Sequence, residues 1–357
     1  MIKKLALWTL LTIFLVALFY RDELRYGWMQ ASGQISILMK VTDVEDVLAD
    51  PAFPDSLKQK IKLIEEIKQF GVDSLGLNPS KNYTTFYDQH GKPILWVITA
   101  SPRYKIEAKE WKFPIVGAFP YKGFFDENKA NEQEAELVQL DYDTDINQVS
   151  AWSTLGYLKD PILSSMLYRS EGSLANLILH ELTHGTLFVK GNLELNENLA
   201  SFVGDWGAVR FLTQKYGPDS EQLRKYEFSK KYNDAYAQHV LRGATQLDSL
   251  YATFADQKVD VKKDTLKRNL IQRIVNTADT LLSGRVSFSS GVDSTSLADS
   301  TRRVPEKPET ELPNNAYFVG YKTYRSKQNE FRREFIDKFS GDFQKYMAYL
   351  KEKYPSL

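Results

Sequence analysis

Residues 173–200 read Ser-Leu-Ala-Asn-Leu-Ile-Leu-His-Glu-Leu-Thr-His-Gly-Thr-Leu-Phe-Val-Lys-Gly-Asn-Leu-Glu-Leu-Asn-Glu-Asn-Leu-Ala. The pattern predicts a helix over 172–189 that begins near Ser173, with Leu174, Leu177, Ile178, Leu182 and Leu187 as its buried stripe. Inside it, His180, Glu181, Leu182, Thr183 and His184 have the spacing H-E-x-x-H. Histidines four positions apart project from one helix face about one turn apart, so two imidazole nitrogens can reach a single ion. Glu181 points to a different azimuth, where it can lie beside a water instead of on the metal. The chain holds only four histidines, and two are here.

A third ligand decides what such a pair can do. Twelve residues separate His184 from Glu197, at the start of a second predicted helix over 196–212 with Asn196 as its N-cap. Two histidines and a glutamate form a donor set that holds Zn2+ and leaves a fourth position open for water. Zinc lowers the pKa of that water, and Glu181 can take its proton as general base. Glu194 and Asp205 are rival carboxylates; Asp205, two turns along, is better placed to orient a ligating histidine. Gly185, Ala200, Gly204 and Gly207 mark places where the two helices can approach closely.

Outward from this segment, residues 23–48 and 55–70 read as helices, the second started by Pro54-Asp55-Ser56. Residues 83–87, 94–99 and 112–119 read as strands, with 121–125 pairing with the last of these across Pro120. Helix returns over 127–139, and 146–155 predicts another strand. Long helical patterns fill 219–255 and 257–283, a Ser-, Thr- and Pro-rich loop covers 284–312, and a last helix spans 326–351. The expected fold class is α+β: mostly helical with a small mixed sheet, preceded by an N-terminal membrane helix. Residues 1–20 form that membrane segment and 21–357 a single domain.

Composition narrows the partners. In 357 residues, 43% hydrophobic and 13% aromatic, 46 Lys and Arg balance 46 Asp and Glu. No electrostatic surplus points to nucleic acid. With no cysteine, disulfides, Cys-metal sites and Cys nucleophiles are excluded. Lys3 and Lys4 precede the apolar run Leu5 to Tyr20, which no small-residue cleavage site follows. This favours an uncleaved anchor over a removed signal or a buried N-terminal helix. It would leave the rest of the chain membrane-anchored on the periplasmic or extracytoplasmic side.

Several blocks together resemble the bacterial family catalogued as predicted aminopeptidases, within the gluzincin metallopeptidases. They are Tyr26 to Gln34; Lys112 to Gly117 with Tyr121 to Phe125; Ser150 to Gly156 with Asp160 to Ser164; the H-E-x-x-H segment with Asn196-Glu197; and Asn314-Asn315-Ala316 with Thr323-Tyr324. The resemblance implies zinc, His180, His184 and Glu197 as ligands, Glu181 as general base, and an aminopeptidase acting on a peptide substrate. Many relatives carry a lipid-attachment cysteine and an acidic residue at the position of Gly204; this chain has neither, which makes Asp205 the substitute in the second case. For the developing oxyanion Tyr324 is the candidate, with Tyr321 and Tyr317 behind it. Ser150 to Ser153 is either the sheet edge that holds the substrate or an interior strand. Other readings remain open: action as an endopeptidase or on a non-peptide amide such as a cell-wall component, and a non-catalytic metal-binding module that has kept its fold.

Overall fold

The computed structural model describes residues 8, 18–113, 117–149, 159–254, 260–289 and 312–354. Helix α1 (Arg21–Leu38) is followed by a two-residue strand β1 (Thr42–Asp43), helix α2 (Val44–Ala49) and helix α3 (Asp55–Leu75). The strands β2 (Thr85–Tyr87), β3 (Trp96–Pro102), β4 (Trp111–Phe113), β5 (Gly117–Phe119) and β6 (Tyr121–Phe124) come next. Helix α4 (Glu127–Gln139), β7 (Tyr142–Gln148) and β8 (Ile162–Leu163) then lead to the site helices α5 (Glu171–His184) and α6 (Leu193–Tyr216). The long helices α7 (Glu221–Ala252) and α8 (Asp260–Ser289), then α9 (Asn315–Arg325), α10 (Gln328–Phe339) and α11 (Phe343–Lys353), end the described chain.

A mostly helical α+β organisation therefore fits, but the strands form three small sheets among the described residues. One is ordered β1-β2-β8 with a parallel β2–β8 pair, one is the antiparallel β6-β3-β7, and one is the β4-β5 hairpin. The segment 121–125 pairs with β3, Tyr121 opposite Thr99, and not with 112–119 as the sequence suggested. The strand expected over 146–155 is β7, displaced toward the amino end; residues 150–158, which include the proposed edge Ser150 to Ser153, lie outside the described residues. The expected last helix is two helices, broken where Ser340 and Gly341 take positive φ values of 51° and 76°. Helix α8 runs to Ser289, past the expected start of the Ser-rich loop at residue 284, and residues 290–311 of that segment lie outside the described residues.

The expectation of an N-terminal membrane helix over 1–20, with a membrane-anchored domain on the periplasmic or extracytoplasmic side, is corrected. Among the described residues no helix is long and apolar enough to cross a membrane. The run Leu5 to Tyr20 is short of the ~20 residues that a span needs, and it falls largely outside the described residues. The helix that follows carries Arg21, Asp22, Glu23 and Arg25 in its first turns and uses another face to dock on protein. Tyr26 Oη and Gln30 Nε2 both donate to the Gly123 carbonyl, at 3.0 and 2.6 Å, on the outer edge of β6. A Cβ on Gly33 would lie 2.3 Å from the Phe125 ring. Two of the blocks singled out in the sequence are thus one contact.

The main core surrounds α5. Ile61, Ile64, Ile67 and Leu75 of α3, Leu174, Ile178 and Leu179 of α5, and Leu199, Phe202 and Val203 of α6 all sink into it. Gly204 lets α6 lie against α5, because a Cβ there would meet the Asn176 carbonyl oxygen at 2.8 Å. The Asn314-Asn315-Ala316 block is a clasp that ties α9 to the central sheet. Asn314 caps the helix by accepting from the Ala316 N–H, and its amide donates to the Thr144 carbonyl at 2.8 Å. The buried Asn315 amide donates to the Pro102 and Arg103 carbonyls, at 2.9 Å each, and accepts from Tyr251 Oη.

Candidate metal centre

Helix α5 starts at Glu171, with the Ser170 side chain accepting from the Ser173 N–H, and ends on His184. Its sequence makes it apolar on nearly all sides, as befits a helix buried between α3 and α6. The two imidazoles therefore emerge from a fixed rod at its last turn. Helix α6 begins at Leu193, one turn earlier than expected, because Asn192 and not Asn196 is the N-cap: its side chain accepts from the Leu195 N–H. Asn196 is then inside the helix and does something else. Its side chain accepts from the Val189 N–H at 2.8 Å and donates to the Val189 carbonyl at 3.0 Å, clasping the loop after α5.

Asn198 clasps the other side. Its amide donates to the Thr323 carbonyl at 2.7 Å, and its oxygen accepts from the Lys327 N–H at 2.8 Å, across the turn between α9 and α10. Glu197, 6% exposed, is held between these two clamps. The result is a compact triangle. His184 Nε2 lies 3.2 Å from His180 Nε2, and Glu197 Oε2 lies 3.4 Å from His180 Nε2 and 3.6 Å from His184 Nε2. His180, His184 and Glu197 form a group that could hold a metal ion.

Electrostatics tie the same three together. Burial raises the Glu197 pKa, but the charge and hydrogen bonds of His184 and His180 outweigh it and hold the carboxyl down to about 2. Burial lowers His184, yet the charge and hydrogen bond of Glu197, with the charge of Glu181, push it up. The Nδ1 atoms of both histidines and Oε2 of Glu181 are buried and without a hydrogen-bond partner among the described residues.

The rival carboxylates are occupied elsewhere. Glu194 Oε1 accepts from Ser326 Oγ at 2.8 Å. Asp205 does not reach a histidine: Oδ1 accepts from Asn176 Nδ2 and Oδ2 from Arg325, each at 2.7 Å. It locks α6 to α5 and α9. His239 meets the Ile274 carbonyl at 2.7 Å, and His90 is an exposed turn residue with a φ of 49°. Tyr324 sits on α9 beside Arg325, its carbonyl accepting from Gln328. Tyr317 and Tyr321 belong to a cluster with Tyr236, whose hydroxyl is 2.9 Å from that of Tyr317. Two tyrosines that the sequence reading left aside lie in the field of the site carboxylates: Tyr121 is coupled to Glu197 and Glu181, and Tyr83 to Glu181. Tyr121 falls in one of the blocks that carried the family resemblance, a signal that was available. Tyr83 falls in none.

A family model described as "Putative aminopeptidase" matches residues 25–354, nearly the whole chain and all of the elements just described. The chain belongs to this family. Membership of the aminopeptidase family suggests peptidase activity. No curated protein and no solved structure matches the chain.

Proposed function

We propose that this member of the family is a zinc-dependent aminopeptidase of the gluzincin type, hydrolysing peptide bonds with Glu181 as general base. The triangle of His180, His184 and Glu197 carries the reading. Tetrahedral coordination at ~2.0–2.1 Å gives donor–donor edges of about 3.3 Å, and the three edges here are 3.2, 3.4 and 3.6 Å. Three protein ligands leave one vertex for water or substrate. A zinc ion bound there supplies Lewis acidity and lowers the pKa of a water.

The chain's own groups do the rest. Glu181 takes the proton of the attacking water and passes it to the leaving amine. Its carboxylate is suited to this because it follows His180 directly on α5 and its charge acts on His184. For the developing oxyanion two phenols are candidates, Tyr324 from the sequence and Tyr121 from the structure. Burial, then the charges of Glu197 and Glu181, keep Tyr121 protonated and hence a donor. Replacing the oxyanion donor by Phe is expected to cost about 10²-fold in kcat at unchanged metal content. Tyr121→Phe and Tyr324→Phe, assayed side by side, identify it.

The test of the exopeptidase reading is a matched pair of peptides, one with a free amino end and one acetylated. The metal-loaded protein is expected to remove residues one by one from the free peptide and leave the acetylated one untouched. Internal cleavage of both would remove the aminopeptidase assignment, and hydrolysis of neither would remove the peptidase assignment.

A further inference from the structure

Tyr83 has no place in the chemistry so far, yet its setting is unusual in three ways. Its side chain is 3% exposed among Leu and Ile of the main core, and its hydroxyl is buried with no hydrogen-bond partner among the described residues. Buried hydroxyls are seldom left in that state, because the hydrogen bonds lost to water are not replaced. Its backbone has a φ of 64°, in the left-handed region that bulky residues avoid. A clasp enforces this: the Tyr83 N–H donates to the Asp160 carbonyl at 2.7 Å, while Asn82 and Asp160 exchange hydrogen bonds of 2.8 and 3.2 Å. Strain imposed by the surroundings in this way clusters at functional sites.

The third feature is where the phenol points electrically. Burial raises its pKa well above the ordinary value, and the charges of Glu181 and then Asp160 add to that, so it is a donor at any working pH. Glu181 carries the matching deficit, since its Oε2 is a buried acceptor without a partner. A donor and an acceptor that are both buried, unpaired and coupled, but not in direct hydrogen bond, are the arrangement that one ordered water completes.

We propose that Tyr83 is a positioning residue: through one buried water its hydroxyl holds Oε2 of Glu181 and thereby aims the other carboxylate oxygen at the reacting water. This rests on the reading of Glu181 as general base. Glu181 sits at the end of a flexible side chain on the last turn of α5, and Asn82, Asp160 and the strained backbone of Tyr83 would supply the rigidity that it lacks.

Tyr83→Phe keeps the ring and the shape and removes only the hydroxyl. The expected result is a kcat lower by about tenfold, a KM within about twofold of the original, and a metal-free protein that melts about 2 °C lower. A hydroxyl that bridges nothing would behave in the opposite way: deleting it would relieve an unsatisfied group, raise the melting temperature and leave kcat alone. Either an unchanged kcat or a raised melting temperature overturns the proposal. Made on top of Glu181→Ala, Tyr83→Phe is expected to cost nothing further in melting temperature, because the shared partner is gone. A full additive cost would place that partner elsewhere and also overturn it. If Glu181→Gln turned over at the original rate, the general-base reading would fall, while the melting series would still report on the water bridge itself.

Discussion

Glu181→Gln is expected to bind its metal as before and to lose turnover by about 10²–10⁴-fold, the usual contribution of a positioned proton acceptor. The amide is nearly the same size as the carboxylate, so α5 and its packing stay intact. What changes is that an amide nitrogen cannot accept a proton from water, and an amide oxygen is a far weaker base. Because His180, His184 and Glu197 are untouched, metal content measured on the purified variant separates loss of chemistry from loss of the site. Turnover at the original rate would place the base elsewhere.

The second large effect is on binding. His184→Ala removes one corner of the triangle, and zinc affinity is expected to fall by more than about 100-fold, beyond the upper end of what outer-shell changes cost. Stoichiometric zinc in the purified variant would remove the ligand assignment. The fold is expected to survive, since His180 and Glu197 still face each other at 3.4 Å and the α5–α6 contact rests on Asn176, Asp205 and the small residues near them. In the unsubstituted protein, binding is expected to weaken as the pH falls. Glu197 pushes His184 up, and a protonated imidazole must lose its proton before it can ligate. Calorimetric titration at two pH values in buffers of different ionisation enthalpy reads the affinity and the proton together.

How much of this was legible in the sequence depended on how local each feature is. The pair His180 and His184 is readable because helical spacing alone brings i and i+4 together. Glu197 is readable only as a candidate, because its distance from the pair depends on how a second helix crosses the first. The start of that helix was misplaced by a competition between two asparagines. Asn192 and Asn196 are both good caps, and the choice went to the one whose partner amide is nearby, leaving Asn196 to clasp Val189. The pairing of 121–125 was misread for a related reason: Pro120 suggested a hairpin, but β3 offered a longer partner in a three-stranded sheet.

Tyr83 was out of reach of any pattern. Its importance lies in a positive φ and in a clasp from Asp160, 77 positions away, and neither leaves a trace in residue spacing. The membrane expectation failed differently. Leu5 to Tyr20 has the right composition for a span, but the hydropathy signal is a matter of length, and the next helix is charged from its start.

Asn198 has a consequence for the thermodynamics of the whole chain. Its amide bonds the Thr323 carbonyl and its oxygen the Lys327 N–H, more than a hundred residues along the sequence, while its neighbour Glu197 closes the triangle. A ligand held at Glu197 and the docking of the carboxyl-terminal helices are therefore two steps of one thermodynamic cycle, and each must favour the other by the same factor. Metal added to the protein would slow hydrogen exchange not only in α5 and α6 but also at the amides around Lys327, which contributes no ligand. In the reverse sense, any change that loosens the junction of α9 and α10 would be read at the metal as a lower affinity.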